Sequence, residues 1–136
     1  MLSPISKFRD SAKKTPEMGL SWPWEDLDAI TYGIRPYWLG VLGAGTGVGK
    51  TTVTKKIVFK LAYGHQVPVV VIYLEEQPEK VLRSLAGQLI NKDLNSPPCN
   101  DKEDPEYLEM RDYTEDQANA AIDSLCDDNL IMVGGS

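Results

Sequence analysis

The stretch Ala44-Gly45-Thr46-Gly47-Val48-Gly49-Lys50-Thr51 decides how this 136-residue chain is interpreted. It matches the phosphate-binding P-loop pattern except at its first position, where alanine replaces glycine. Its three glycines permit dihedral angles that let successive backbone N–H groups point at phosphate oxygens. We therefore predict that this stretch, together with Thr52, binds the phosphates of a nucleoside triphosphate such as ATP.

Two residues at the end of the loop carry distinct chemistry. Lys50 is predicted to contact the β- and γ-phosphates, and the Thr51 hydroxyl to ligate Mg²⁺. The alternative is a glycine-rich turn before an amphipathic helix, with Lys50 as an ordinary solvated cation. Because the motif lies between an apolar segment and a helical pattern, the context favours the nucleotide site.

The residues on both sides of the loop predict an α/β fold. Tyr37 to Leu42 are aromatic and aliphatic and predict a short buried strand, whereas the spacing from Thr51 to Tyr63 predicts a helix. Val67 to Leu74 is almost wholly apolar, which is typical of a parallel strand buried on both faces. Together these elements predict a mostly parallel sheet flanked by helices.

The rest of the chain adds elements of the same two kinds. Apolar spacing and capping signals predict three helices and one strand: Trp24–Ile30, Pro78–Ile90, Thr114–Cys126 and Asn129–Val133. Residues 95–105 break all periodicity and predict a polar loop that is open to disorder. The expected organisation is a mobile arm or linker over residues 1–21 and a single nucleotide-binding domain over residues 22–136.

Two carboxylates, Glu75 and Glu76, close the second apolar strand at the carboxyl edge of the predicted sheet. The pair could hold Mg²⁺ through water, supply a base that polarises an attacking water, or simply favour the next helix by its charge. Glu75 follows Lys50 by 25 residues, which leaves space for one helix and one turn. This spacing places Glu75 on the very next strand and favours the base, whereas the helix-terminus role is favoured for Glu76.

Composition excludes several other classes of protein. Two cysteines without a CxxC spacing and a single histidine cannot build a disulfide framework or a zinc cluster, and they fit a reducing cytoplasm. The longest nearly apolar run has eight residues, which predicts no membrane span. The net charge of −6 disfavours non-specific binding to phosphate backbones, so any contact with nucleic acid must be local or be made elsewhere.

The motifs resemble a known family. The run from Gly40 to Thr52, followed one helix later by Val69 to Glu76, is similar to the RecA-like motor of replicative ring helicases of the DnaB/Twinkle type. Ser21 to Leu27 and Thr31 to Arg35 look like the approach to the P-loop in the bacteriophage primase-helicase proteins of that group. In this family the first acid after the second strand is the catalytic glutamate, which the resemblance assigns to Glu75.

The resemblance implies a function and its partners. It implies ATP with Mg²⁺, a homo-hexameric ring, single-stranded DNA bound through parts of the motor outside this sequence, and the cytoplasm, that of the host if a phage encodes the chain. No apolar strand ending in Asp follows Glu75 in the sequence, and no arginine finger is evident. The chain is therefore expected to be truncated before that strand, which is called the Walker B strand. Alone, the chain is expected to be inactive in ATP hydrolysis.

Two other functions remain open on the sequence. A small P-loop nucleotide kinase shares the strand, loop and helix, but it would need an arginine-rich lid, and the second half of the chain holds only Arg83 and Arg111. A nucleotide-binding module that never turns over needs nothing beyond the loop and its helix.

Overall fold

The computed structural model describes residues 3–126 and 130–134, which divide into two compact units between Leu39 and Gly40. The first unit contains a 3₁₀ turn and two helices: Ile5–Phe8, α1 (Arg9–Ala12) and α2 (Glu25–Thr31). The second contains three helices, two strands and two shorter turns: α3 (Lys50–Phe59), a π-helical turn (Lys60–Gly64), β1 (Val69–Tyr73), α4 (Pro78–Ile90), a 3₁₀ turn (Glu109–Arg111), α5 (Glu115–Leu125) and β2 (Leu130–Gly134).

In the first unit, side-chain hydrogen bonds fix the chain on both sides of α2. The Trp22 indole N–H donates to the Thr31 hydroxyl at 2.8 Å, and the Trp22 backbone N–H donates to the Asp28 carboxylate at 2.9 Å. Leu20 and Ile34 form an antiparallel bridge. The helix predicted over residues 24–30 is confirmed with a shift of one residue, and the end of the predicted arm is hydrogen-bonded to residues that follow it.

The core of the second unit is built around α4. Pro78 occupies its first turn, where a missing N–H costs nothing, and Val81, Leu85 and Ala86 are 0%, 1% and 0% exposed. These side chains share one buried cluster with residues from α3, β1, α5 and the intervening loop: Val58, Val71, Leu94, Tyr113, Ala121 and Leu125. The helix over residues 78–90 is confirmed, and it holds the unit together.

The two strands pair in parallel, with Val69 opposite Leu130 and Tyr73 opposite Gly134. The predicted strand over residues 67–74 is confirmed at its centre, but its burial on both faces is wrong. Val71 is 7% exposed, whereas Val70 and Ile72 on the other face are 61% and 65% exposed. The buried cluster therefore covers one face of β1, the face that carries Val71.

The strand predicted over residues 37–42 is also wrong. This segment has no regular secondary structure, and Leu39 and Val41 are 92% and 91% exposed. A strand requires a neighbour that accepts and donates its backbone hydrogen bonds, and the described sheet consists of β1 and β2 alone. The apolar composition of residues 37–42 is therefore compatible with a strand, but it does not show whether a neighbouring strand is present to pair with this segment.

The loop between α4 and α5 is ordered by its own side chains. Asn100 donates to the Asp112 carboxylate at 3.1 Å and to the Tyr113 carbonyl at 3.0 Å, and the Tyr107 hydroxyl donates to Asp112 at 2.9 Å. The hydrogen bonds from Asn100 and Tyr107 lower the pKa of Asp112. The sequence correctly predicts a polar loop over residues 95–105, and these hydrogen bonds tie Asn100 of that loop to the residues just before α5.

The second half of the unit agrees with its sequence signals. The Thr114 hydroxyl accepts a hydrogen bond from the Gln117 backbone N–H, and the Gln117 side-chain oxygen accepts one from the Thr114 backbone N–H. These two bonds form the predicted capping box. The last predicted strand is confirmed from Leu130 onward, while its predicted first residue, Asn129, lies outside the described residues. Within the described ranges no helix is long and apolar enough to cross a membrane.

Replacing Gly87 by alanine is expected to destabilise the second unit. A methyl group there would clash with the Lys92 carbonyl oxygen, because the chain folds back over the end of α4. Overpacking of this kind costs about 1–3 kcal/mol, which exceeds the gain of about 1 kcal/mol from alanine's helix propensity. Chemical denaturation measures the change, with the exposed Arg83→Ala on the same helix as control. An equal or higher free energy of unfolding in Gly87→Ala would contradict this packing.

Candidate functional site

The predicted phosphate loop ends at the first residue of α3. Gly49, immediately before the helix, has φ 96° and ψ 18°, and Gly47 has φ 79°. L-residues with side chains rarely adopt these left-handed angles, so glycine at 47 and 49 sets the shape of the loop. No described atom lies within 4 Å of where a Cβ would stand on either glycine, which leaves an open cradle along the backbone.

The start of α3 is free of the side chains that usually satisfy a helix N-terminus. Its first turn contains no acidic residue, and no side chain of the described residues caps it. The backbone N–H groups at this end precede the first intrahelical bond, and together with the helix dipole they favour a bound anion. Lys50 is exposed at the first helical position, which adds a positive charge at the same point.

The other predicted loop residues are accessible to a ligand. Ala44, Gly45, Thr46 and Val48 are exposed, as is Thr52. Thr51 is half-buried in the first turn of the helix. Its hydroxyl would provide one oxygen to Mg²⁺, which normally completes its octahedral shell with phosphate oxygens and water. The open loop, the uncapped helix and this hydroxyl together fit a magnesium-bound triphosphate.

The structure separates the environments of the two adjacent carboxylates. Glu75 is exposed in the bend between β1 and α4, whereas Glu76 is half-buried and pairs with Lys55 of α3, Nζ to Oε2, at 3.0 Å. Lys55 Nζ also lies 3.4 Å from the Ser84 hydroxyl of α4. The sequence predicts that Glu76 places a negative charge at the start of the next helix, and it does not predict this ion pair. Lys55 is 21 residues away in sequence, so no local pattern indicates it.

Tyr73, the last residue of β1, is a further polar group at this turn. Its hydroxyl is buried and has no hydrogen-bond partner among the described residues. Burial raises the pKa of Tyr73, and the negative charge of Glu76 raises it further, so the ring remains neutral. The Glu76 carboxylate is therefore bordered by a cation on one element and by a neutral aromatic side chain on another.

The predicted route from Glu75 to the phosphate loop differs from the observed one. The sequence argument needs the strand before the loop and the strand before Glu75 to be neighbours, and residues 37–42 do not form a strand. The connection that is present runs through α3. Lys55 lies five residues after Lys50, a rise of about 7.5 Å along the helix, and it contacts the residue next to Glu75.

A cavity of about 290 Å³ lies between α3 and α4 and is distinct from the phosphate loop. Its lining mixes basic, acidic, neutral polar and apolar residues, among them Lys55, Asp93 and Met110, and it includes Thr52 of the predicted site. Lys50 and Glu75 do not line it. The features that fit a nucleotide are on the glycine loop, not in this cavity.

A loop of this sequence and shape at a helix N-terminus defines the class of P-loop nucleotide-binding domains. The family model described as the DnaB-like helicase C terminal domain matches residues 19–125, which is most of the chain. The chain therefore belongs to the DnaB-like helicase family. Neither the curated proteins nor the solved structures give a significant match.

Membership of this family confirms the broader sequence predictions. The family domain is a RecA-like P-loop fold and a replicative-helicase module of the ATPase type. Its members use a nucleoside triphosphate with Mg²⁺, are hexameric and bind single-stranded DNA. The roles of individual residues of this chain stay predictions.

Gly49→Ala is expected to weaken the binding of Mg²⁺–ATP by about 10-fold, because left-handed backbone costs a residue with a side chain roughly 1–2 kcal/mol. Isothermal titration calorimetry measures the affinity. Gly43→Ala is the matched control, since Gly43 has open space for a methyl group and no positive φ. Equal losses in the two variants would show that the left-handed turn at Gly49 has no special part in binding.

Proposed function

We propose that this chain provides the nucleotide-binding part of an ATP-dependent replicative DNA helicase that couples hydrolysis to movement along single-stranded DNA. The observation that carries the proposal is the open, left-handed glycine loop leading into an uncapped α3, within a chain of the DnaB-like helicase family. The motor domain is proposed to span residues 22–136, with residues 1–21 as an arm.

Residue roles follow from the site. Residues 44–52 would wrap the triphosphate with backbone N–H groups, and Lys50 would neutralise charge on its terminal phosphates. Thr51 would hold Mg²⁺, which supplies electrostatic stabilisation of the phosphates when bound. Glu75 would accept the proton of the attacking water, a role that its exposure in the bend after β1 leaves accessible.

The finer assignment concerns the type of helicase. The segments 21–27 and 31–35 and the Leu74-Glu75-Glu76 ending favour the bacteriophage primase-helicase group. Such a motor would act as a homo-hexamer, with the arginine of a neighbouring subunit completing each site, and it would function in the host cytoplasm. The 136 residues alone are proposed to bind nucleotide without appreciable turnover, because transition-state stabilisation by an arginine finger is worth 10³–10⁵ in rate.

Phosphate release with and without single-stranded DNA tests the proposed function. The assembled helicase that carries this chain should hydrolyse ATP faster when DNA is added. A nucleotide kinase would transfer phosphate to an acceptor nucleotide without DNA stimulation, and a module without turnover would release none. Either of these two results would refute the helicase assignment.

Lys50→Ala is expected to abolish detectable binding of Mg²⁺–ATP, because the ammonium group faces the most highly charged part of the ligand. Calorimetry on the 136-residue chain measures this directly. Lys56→Ala, an exposed lysine on the same helix, provides the control for a general loss of positive charge. An ATP affinity in Lys50→Ala equal to that of the parent chain would refute the nucleotide site.

Glu75→Gln in the assembled helicase is expected to retain ATP binding and to lower kcat by roughly 10²–10⁴, the usual contribution of a general base. Steady-state hydrolysis and nucleotide affinity separate the two effects. If Glu76→Gln proves the more damaging change, the base has been assigned to the wrong member of the pair.

A further inference from the structure

The turn that carries Glu75 is joined to the P-loop helix by one pair of charged side chains. Lys55 lies on α3, and Glu76 follows Glu75 directly, so their 3.0 Å contact bridges the two elements. Ser84 of α4 extends the contact, with its hydroxyl 3.4 Å from Lys55 Nζ. Three elements of the second unit therefore meet at the Lys55 ammonium group.

We propose that the Lys55–Glu76 ion pair positions Glu75 to accept the proton of the water that attacks the nucleotide. This inference rests on the proposed function. Lys55 and Glu76 are positioning residues, because the proposed effect of their ion pair is to hold the backbone of the turn that carries Glu75. Consecutive Cα atoms are 3.8 Å apart, so fixing Glu76 restricts where the Glu75 backbone can lie. A phosphate bound at the start of α3 is thereby linked to the residue that is to activate water.

Partial burial distinguishes this ion pair from an ordinary surface pair. The Lys55 and Glu76 side chains are 12% and 27% exposed, so solvent screens their attraction less than it screens exposed charges. Neither the neighbouring Tyr73 hydroxyl nor Glu76 Oε2 has a hydrogen-bond partner of good geometry among the described residues, so Glu76 Oε2 is held by its ion pair with Lys55. Loss of Lys55 would leave Glu76 half-buried without its cation, and the turn would move to hydrate it.

Lys55→Met in the assembled helicase tests the proposal. The kcat for ATP hydrolysis should fall by about 10- to 100-fold, since a misplacement of about 1 Å can cost 10² in rate, while nucleotide affinity stays within about 2-fold. Lys55→Arg, which keeps the charge, should restore most of kcat. Lys56→Met removes a neighbouring exposed lysine on the same helix and should have little effect.

A second measurement uses the 136-residue chain and does not depend on catalysis. Backbone order parameters of residues 74–77, measured by NMR relaxation, should be lower in Lys55→Met and in Glu76→Gln than in the parent chain, with those of α4 unchanged. Thermal unfolding of each variant establishes that it is folded. Order parameters in the turn that match those of the parent chain would overturn the positioning role.

The two proposals fail in different ways. Parental kcat in Lys55→Met, with ATP binding lost in Lys50→Ala, would overturn the positioning role and leave the nucleotide site intact. Parental ATP affinity in Lys50→Ala would instead overturn the proposed function. A kcat that falls equally in Lys55→Met and Lys55→Arg would show that the size of Lys55 matters and its charge does not, which also contradicts the proposal.

Discussion

Burial of the apolar face of α4 is the constraint on which the second unit depends. Val81, Leu85 and Ala86 are essentially inaccessible to solvent, and through them α3, β1 and α5 pack into a single cluster. Removing such side chains from water is the main favourable contribution to folding. The packing also holds α3 and β1 together, the elements that follow the phosphate loop and precede Glu75.

The features of the fold that depend on local sequence could be predicted. Pro78 starts α4, Thr114 and Gln117 cap α5, and glycine at 47 and 49 sets the left-handed turns of the loop. The features that depend on partners could not be predicted. Residues 37–42 have the composition of a buried strand but lack a neighbour to pair with, and β1 is covered on one face because the helices meet only that face.

The candidate site shows the same division. The P-loop motif is contiguous, so its residues and their order follow from the sequence alone, and the chain belongs to a family of P-loop helicases. Lys55 has no motif and becomes notable only because folding places it 3.0 Å from Glu76. A lysine on a helix is usually a solvated charge, and only its burial against a distant carboxylate distinguishes it.

The central claim is that residues 44–52 recognise the terminal phosphates of a nucleotide, and comparison of ATP with AMP tests it most directly. Both nucleotides carry the same base and sugar, so a difference in affinity reports the phosphates that Lys50 and the loop backbone are proposed to contact. Calorimetric titration of the 136-residue chain in the presence of Mg²⁺ should show ATP binding at least about 100-fold more tightly than AMP, a difference of about 2.7 kcal/mol. Equal affinities, or no binding of ATP, would contradict the account.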